Sequence, residues 1–239
     1  MTKYKLKAQD EKIIEFISKK ILPIANEVTN FYSHWTTSDE EGDLQKAFLY
    51  ECRQEGISLT REVAITQYYK DLAFREKEVD FFIFPKQNTA TLPSGIFIET
   101  KSDYDDITGQ TNTSGRYQLF RYIYSSSFNP DENLRNAEYG VFLQWGQNYD
   151  GAQFKNLDTF SIVENEVEAY LEIWKATDET KTNFVKIYQS KEVVIAISSL
   201  GKDELLKLCH EKGIDAKVGE NKKELISKLN NAGVYNLGD

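Results

Sequence analysis

Two stretches decide the fold of this chain: Val79-Asp80-Phe81-Phe82-Ile83-Phe84-Pro85 and Ile96-Phe97-Ile98-Glu99-Thr100-Lys101. Each is short and apolar on both faces apart from a few charges, the pattern of a central β-strand covered by other layers on both sides. The turn Pro93-Ser94-Gly95 introduces the second of them. Period-two alternation puts Glu99 and Lys101 on one face of that strand and Ile98 and Thr100 on the other. Asp80 is the one acid in its own run, and a meander pairing the two strands brings it to Glu99 and Lys101. Charge on a buried strand is costly unless it is paired or bound to a metal. These three residues are therefore the candidate site.

Working outward, residues 9–24 carry Ile13, Phe16, Ile17 and Ile21 at helical spacing, and Pro23 is expected to end that helix. After the polar stretch 36–42, Leu44, Phe48 and Cys52 mark the apolar face of a second helix, which Glu55-Gly56 closes. From Ile57 the period changes to two, and Ser58 to Ile65 with Tyr68 and Tyr69 reads as a strand. Downstream of the site, Tyr117, Phe120, Ile123 and Tyr124 give a helix over 114–125, and residues 139–145 return to a strand. The order helix, three strands, helix, strand predicts an α/β fold with a mixed central sheet flanked by helices.

Beyond Gly146, residues 163–175 read either as an amphipathic helix or as one arm of a hairpin with 184–189 across the polar turn 177–182, and the hairpin is favoured. Residues 198–201 look like a linker. Two short helical patterns, 202–212 and 222–231, follow it and predict a small all-α C-terminal module. The expected division is thus residues 1–197, with a core over about 39–146, and residues 198–239.

With 239 residues, 40% of them hydrophobic, the chain can bury a core of its own. Lysines near the N-terminus lack a following apolar stretch, so no signal peptide is expected, and no apolar run is long enough to span a membrane. A cytoplasmic protein with no membrane partner is the expectation. Cys52, Cys209, His34 and His210 have no spacing that holds structural zinc. Any metal must then be held by carboxylates, which select hard cations such as Mg²⁺, with Mn²⁺ able to substitute. The net charge of -9 speaks mildly against a nucleic-acid partner. From Ser198 to Gly233, however, seven lysines face six acids, so this tail is nearly neutral and the rest of the chain carries the negative balance.

Two carboxylates converging with a lysine are what metal-assisted phosphodiester hydrolysis requires. The acids hold divalent ions that polarise the phosphate and acidify a water, and the lysine orients that water or stabilises developing charge. The pattern Val79-Asp80 followed by Glu99-Thr100-Lys101 resembles the PD-(D/E)XK nuclease superfamily, with valine where the motif has proline. Upstream, Glu41-Gly42-Asp43-Leu44-Gln45-Lys46-Ala47-Phe48 is similar to the superfamily's first helix, whose metal-binding acid would be Glu41 by register, with Glu40 and Glu51 as the alternatives. Gly56 to Val63 with Tyr68-Tyr69 is similar to a strand of the small GxxExxY-type nucleases. Gln118-Leu119-Phe120-Arg121-Tyr122 looks like the helix bearing their Gln-x-x-x-Tyr pattern, in which Gln118 and Tyr122 face the site together.

The resemblance implies a restriction-endonuclease-like core and a Mg²⁺-dependent deoxyribonuclease, of phage or bacterial DNA processing, restriction or recombination. Asp80, Glu99, Lys101 and Gln118 would be catalytic, and Glu41, Asp80 and Glu99 would bind metal. Arg116 and Arg121, on the helix after the catalytic strand, are candidate phosphate contacts by their location alone. The tail resembles a SAP or HeH-like helix-extended-helix module through Lys202 to Cys209, Gly213-Ile214 and Asn221 to Ile226. In that family the second helix and the loop before it approach DNA, which assigns phosphate contacts to Lys217, Lys222 and Lys223. Double-stranded DNA is the expected partner, and the resemblance leaves a homodimer open.

Plainer readings exist for each feature. An acid-X-Lys strand often decorates a solvated face, Glu41 suits a helix N-terminus by its charge alone, and a lysine-rich helical pair also docks other proteins. The competing function is a non-catalytic DNA-binding or assembly protein that keeps a nuclease-like fold.

Overall fold

The computed structural model of the protein describes residues 4–33, 41–69, 72–85, 92–102, 115–145, 152–156, 159–162, 168–190 and 201–234. The chain divides into two compact units, residues 1–191 and 192–239. In the first, a long N-terminal helix runs as α1 (Ala8–Phe16), a π-helical turn (Ile17–Ile21) and α2 (Leu22–Ser33). Pro23 does not end it. The π turn lies directly before the proline, and Leu22 N–H donates to Ile17 O five residues back. That slip takes up the hydrogen bond a proline lacks and makes room for its ring.

α3 (Glu41–Gln54) leads into a hairpin of β1 (Leu59–Tyr69) and β2 (Leu72–Ile83), followed by β3 (Ile96–Lys101), α4 (Gly115–Ser126), a single turn α5 (Glu132–Arg135) and β4 (Tyr139–Gln144). Two further pairs complete this unit. β5 (Ala152–Asn156) and β6 (Thr159–Ile162) form a separate antiparallel ladder, while β7 (Tyr170–Ala176) and β8 (Phe184–Gln189) extend the main sheet. The favoured hairpin is present with a first arm starting at Tyr170; residues 163–167 lie outside the described set. The main sheet is mixed and six-stranded, in the order β1-β2-β3-β4-β7-β8, with β3 and β4 parallel and the other neighbours antiparallel.

Helices cover both faces. Ile13, Ile17, Ile21, Ala25, Phe48 and Cys52 from α1 to α3 pack on Phe81, Ile83, Ile96, Ile98, Val141 and Leu143 of the sheet. α4 lies on the opposite face, so close that a Cβ on Gly140 would meet Ile123 and Leu119 at under 3 Å, and one on Gly115 would meet Phe142 at 2.5 Å. Only glycine permits that approach, which seats the start of α4 beside the end of β3.

β1 changes layers part-way along. Glu62 has φ 56, in the left-handed region that non-glycine residues rarely adopt. Before it, Leu59 belongs to the core under α1 to α3, and Arg61 donates to Gln45 of α3. After it, Ile65 and Gln67 are buried, and Gln67 accepts from Arg121 of α4. The distal half of the β1–β2 hairpin thus packs against α4 instead. β2 begins seven residues earlier than the apolar run suggested, because Leu72 to Glu78 is held by ladder pairing with β1 while its side chains stay exposed.

The second unit holds α6 (Lys202–Glu211) and α7 (Lys222–Asn231). Leu205, Leu208, Cys209, Leu225 and Leu229 make its small core. His210 Nε2 lies 2.9 Å from Ala216 O and ties the end of α6 to the extended segment before α7. Among the described residues no helix is long and apolar enough to cross a membrane.

Candidate functional site

The site forms at the C-terminal end of β3. The antiparallel register Phe81↔Ile98 and Phe82↔Phe97 carries Asp80 opposite Glu99, and the parallel register on the other side sets Lys101 beside Gln144. Alternation therefore brings Asp80, Glu99 and Lys101 to the face on which α4 lies, while Thr100 turns towards α3.

Glu99 is 2% exposed. Its Oε1 accepts from Lys101 Nζ at 2.7 Å, and its buried Oε2 has no hydrogen-bond partner. Burial, reinforced by the charge of Asp80, outweighs Lys101 and pushes the Glu99 carboxyl up to about 8. Lys101 also donates to Thr100 O at 2.8 Å and lies 3.7 Å from Glu41 Oε1. Burial alone would lower its pKa; the charge and hydrogen bond of Glu99, then Glu41 and Asp80, raise it instead. Lys101 is the fixed cation of the pair, and Glu99 is the member whose proton is in play.

Asp80 is held at one oxygen. Its Oδ2 accepts from Thr100 N at 2.7 Å and Thr100 Oγ1 at 2.9 Å. Glu41, the first residue of α3, reaches the site from the helix side, where its Oε2 accepts from Ser102 N at 3.2 Å. Its pKa is raised, chiefly by burial and also by Asp80, against the pull of Lys101. Of the alternatives, Glu51 lies about 15 Å further along the helix by its rise per residue, and Glu40 lies outside the described residues.

Sequence reasoning did not single out Gln45 or Thr100. Buried Gln45 donates to Thr100 Oγ1 at 2.9 Å and Glu41 Oε1 at 3.3 Å while accepting from Arg61 Nη2 at 3.1 Å. A relay thus runs from Arg61 through Gln45 and Thr100 to Asp80. The spacing of Gln45 one turn after Glu41 was its visible signal. Gln144, 1% exposed with an unpartnered Oε1, is a further buried polar group beside Lys101 that the strand pattern hid.

The remaining expected residues divide. Tyr122 stands close enough to feel Glu99 and Asp80, and burial first, then their charge, pushes its phenol up to about 12. Gln118 and Arg121 line an open cavity with Tyr122. Arg116 is drawn into the fold: Nε and Nη2 pair with Glu172 of β7 at 2.6 and 3.0 Å, and its guanidinium lies over the Phe142 ring. It braces α4 on the sheet, so a phosphate would have to compete with Glu172 for it. Lys217, Lys222 and Lys223 are all exposed in the second unit, and Asn221 caps α7 just ahead of the last two.

The donor set suits a hard divalent cation, since it offers carboxylate oxygens, one of them buried and unpartnered, without thiol or imidazole. Among the described residues no three acid, histidine or cysteine side chains already stand as a chelating group. The Lys101 ammonium sits between Glu99 and Glu41 and supplies positive charge there.

A carboxylate kept against its own preference is a source of instability. Glu99→Gln is expected to raise the stability near pH 8 in chelator by about 1 kcal/mol, read as a higher urea midpoint at unchanged m, and to abolish stabilisation by Mg²⁺. A lower midpoint in chelator would show that Lys101 satisfies the charge after all. Comparison with protein-family models, with curated proteins and with solved structures finds no match for this chain.

Proposed function

We propose that this protein is a metal-dependent deoxyribonuclease of PD-(D/E)XK type, with a restriction-endonuclease-like core and a C-terminal SAP or HeH-like module that grips duplex DNA. The observation that carries the reading is Glu99: a buried carboxylate with a free oxygen, raised to about 8, facing Asp80 and tethered to Lys101. An arrangement so unfavourable without a ligand is characteristic of a functional centre. The element order around it, α3-β1-β2-β3-α4 with β4 after the short α5, supports the same reading.

Asp80, Glu99 and Glu41 would hold the ion, which when bound supplies Lewis acidity at the phosphate and a water of lowered pKa. Thr100 keeps one oxygen of Asp80 fixed through two hydrogen bonds. Lys101, whose side chain is 16% exposed, would donate through Nζ to the attacking water or the charge developing on the phosphate. Gln118, one turn before Tyr122, assists from α4. Lys217, Lys222 and Lys223 contact the duplex backbone.

One observation favours the non-catalytic alternative. Lys101 already sits on Glu99 and near Glu41, where it is able to act as a permanent built-in counterion. Calorimetric titration with Mg²⁺ and Mn²⁺ separates the two. The nuclease reading expects saturable binding that Asp80→Ala removes, together with nicking of supercoiled plasmid that stops in chelator. Absence of both binding and nicking would leave a DNA-binding protein.

A further inference from the structure

A second feature lies beside the carboxylates, on the far side of Tyr122, between α4 and the hairpin. Where the distal β1–β2 hairpin packs on α4, an open cavity of about 160 Å³ is lined by Gln67, Arg75, Lys77, Gln118, Arg121 and Tyr122. Three of these side chains are cationic, and no acid is among them, in a chain of net charge -9. Gathering like charges around a cavity is unfavourable unless an anion enters it.

The two guanidinium groups are also aimed. Buried Gln67 accepts from Arg75 Nε at 2.5 Å and from Arg121 Nη2 at 2.9 Å, so one amide oxygen fixes both. A guanidinium has five N–H donors in a planar fork, and each of these uses one on Gln67. Exposed aromatic rings flank them: Arg75 lies over Phe74 at 5.0 Å and Arg121 over Tyr117 at 5.7 Å. Forked donors beside exposed aromatic rings suit a phosphate that carries a nucleoside. The volume falls short of a typical ligand pocket of roughly 300 Å³, as suits a phosphate group entering from solvent.

We propose that this cavity seats a phosphate of a nucleic-acid strand, next to the carboxylate site and contacted by Arg75, Lys77 and Arg121. Tyr122 joins the two, since it lines the cavity and lies within electrostatic reach of Glu99 and Asp80. The seated phosphate is therefore a neighbour of the one presented to the carboxylates, and the identity of the strand as substrate rests on the nuclease reading. The seat guides the strand along α4 and is independent of the C-terminal lysines.

The test is binding without cleavage: fluorescence anisotropy of a labelled single-stranded oligodeoxynucleotide, and of its duplex, in chelator. Arg75 and Lys77 are exposed on the hairpin, so Arg75→Glu with Lys77→Glu should fold, and Lys77→Ala is the milder variant. The double variant is expected to bind at least about tenfold more weakly, with a salt dependence of log K reduced by about 0.7 per lost phosphate on the single strand. Lys19→Ala, at an exposed lysine of the N-terminal helix outside the site, should leave the single-strand salt slope unchanged. Wild-type affinity and slope in both hairpin variants, or no binding by the wild type, would overturn the seat. So would displacement of the strand by inorganic phosphate at matched ionic strength, which would assign the cavity to the free anion. Charge-dependent binding without cleavage in any metal would sink the nuclease reading and leave the seat standing; cleavage with unaltered variant binding would do the reverse.

Discussion

Lys101→Ala is expected to lower Mg²⁺-dependent cleavage of supercoiled plasmid by about a thousandfold, the cost of removing one well-placed donor to developing charge. The ammonium is the one cation within 4 Å of both Glu99 and Glu41 among the described residues. Folding should survive the change. Breaking a buried ion pair is severe when it strands a charge, but burial and Asp80 raise the Glu99 carboxyl even beside Lys101, so without the ammonium it is held as the neutral acid. Lys101→Arg should not rescue the rate. A Cβ on Gly115 would come within 3.0 Å of Lys101 Cγ, so α4 presses on the stem of this side chain and a planar guanidinium has little room. Cleavage rates for both variants, read beside their urea midpoints, decide the matter. Wild-type cleavage by a folded Lys101→Ala would remove Lys101 from the chemistry.

The parts of the fold legible in the sequence are those that leave a periodic trace. β3 was readable to its ends because every residue from Ile96 to Thr100 is buried, and an unbroken apolar run around one charged pair admits few other interpretations. Its alternation also made the shared face of Glu99 and Lys101 legible, and with the neighbouring strand that of Asp80. The distal half of β2 was not. Arg75-Glu76-Lys77-Glu78 has the composition of a solvated loop, and what makes it a strand is pairing with Ala64 to Gln67, which composition does not encode. For that reason the cationic cavity was invisible although each of its residues was in view. Pro23 misled in the opposite direction, because a local breaker was absorbed by a π turn that no local rule anticipates.

Side-chain partnerships across long separations were the other blind spot. Gln45 and Thr100 are 55 residues apart, and Arg116 and Glu172 are 56 apart. Nothing in the surroundings of Arg116 distinguishes a cation bound for a buried glutamate from one bound for phosphate, whereas its sequence neighbour Arg121, one and a half turns on, emerges beside the cavity. Helical position alone could not separate them. The relay through Gln45 shows the same limit, since its meaning depends on which strand α3 happens to cover.

Asp10→Ala is expected to destabilise the protein by about 3 to 5 kcal/mol, the cost of removing one partner of a buried pair, without touching the chemistry at Asp80 and Glu99. Asp10 is fully buried, as is nearly all of Lys175. One oxygen accepts from Lys175 Nζ and Tyr139 Oη, both at 2.7 Å, and the other from Lys7 N at 2.8 Å and Tyr4 Oη at 2.9 Å. A single carboxylate thereby ties α1 to β4 and β7, and its loss strands an ammonium and two phenols. Burial alone would raise its pKa, but the hydrogen bonds from Lys175, Tyr139, Lys7 and Tyr4 together hold it down to about 2, below the ordinary 3.8. A carboxylate depressed on folding contributes stability that is present above its unfolded value and lost as pH falls through the folded one. Wild-type stability should therefore decline between about pH 4 and pH 2 by a component missing from Asp10→Asn, which keeps the shape but cannot neutralise Lys175. Urea midpoints of the three proteins across that range measure it. Parallel curves for wild type and Asp10→Asn would mean that Lys175 draws its stabilisation from elsewhere.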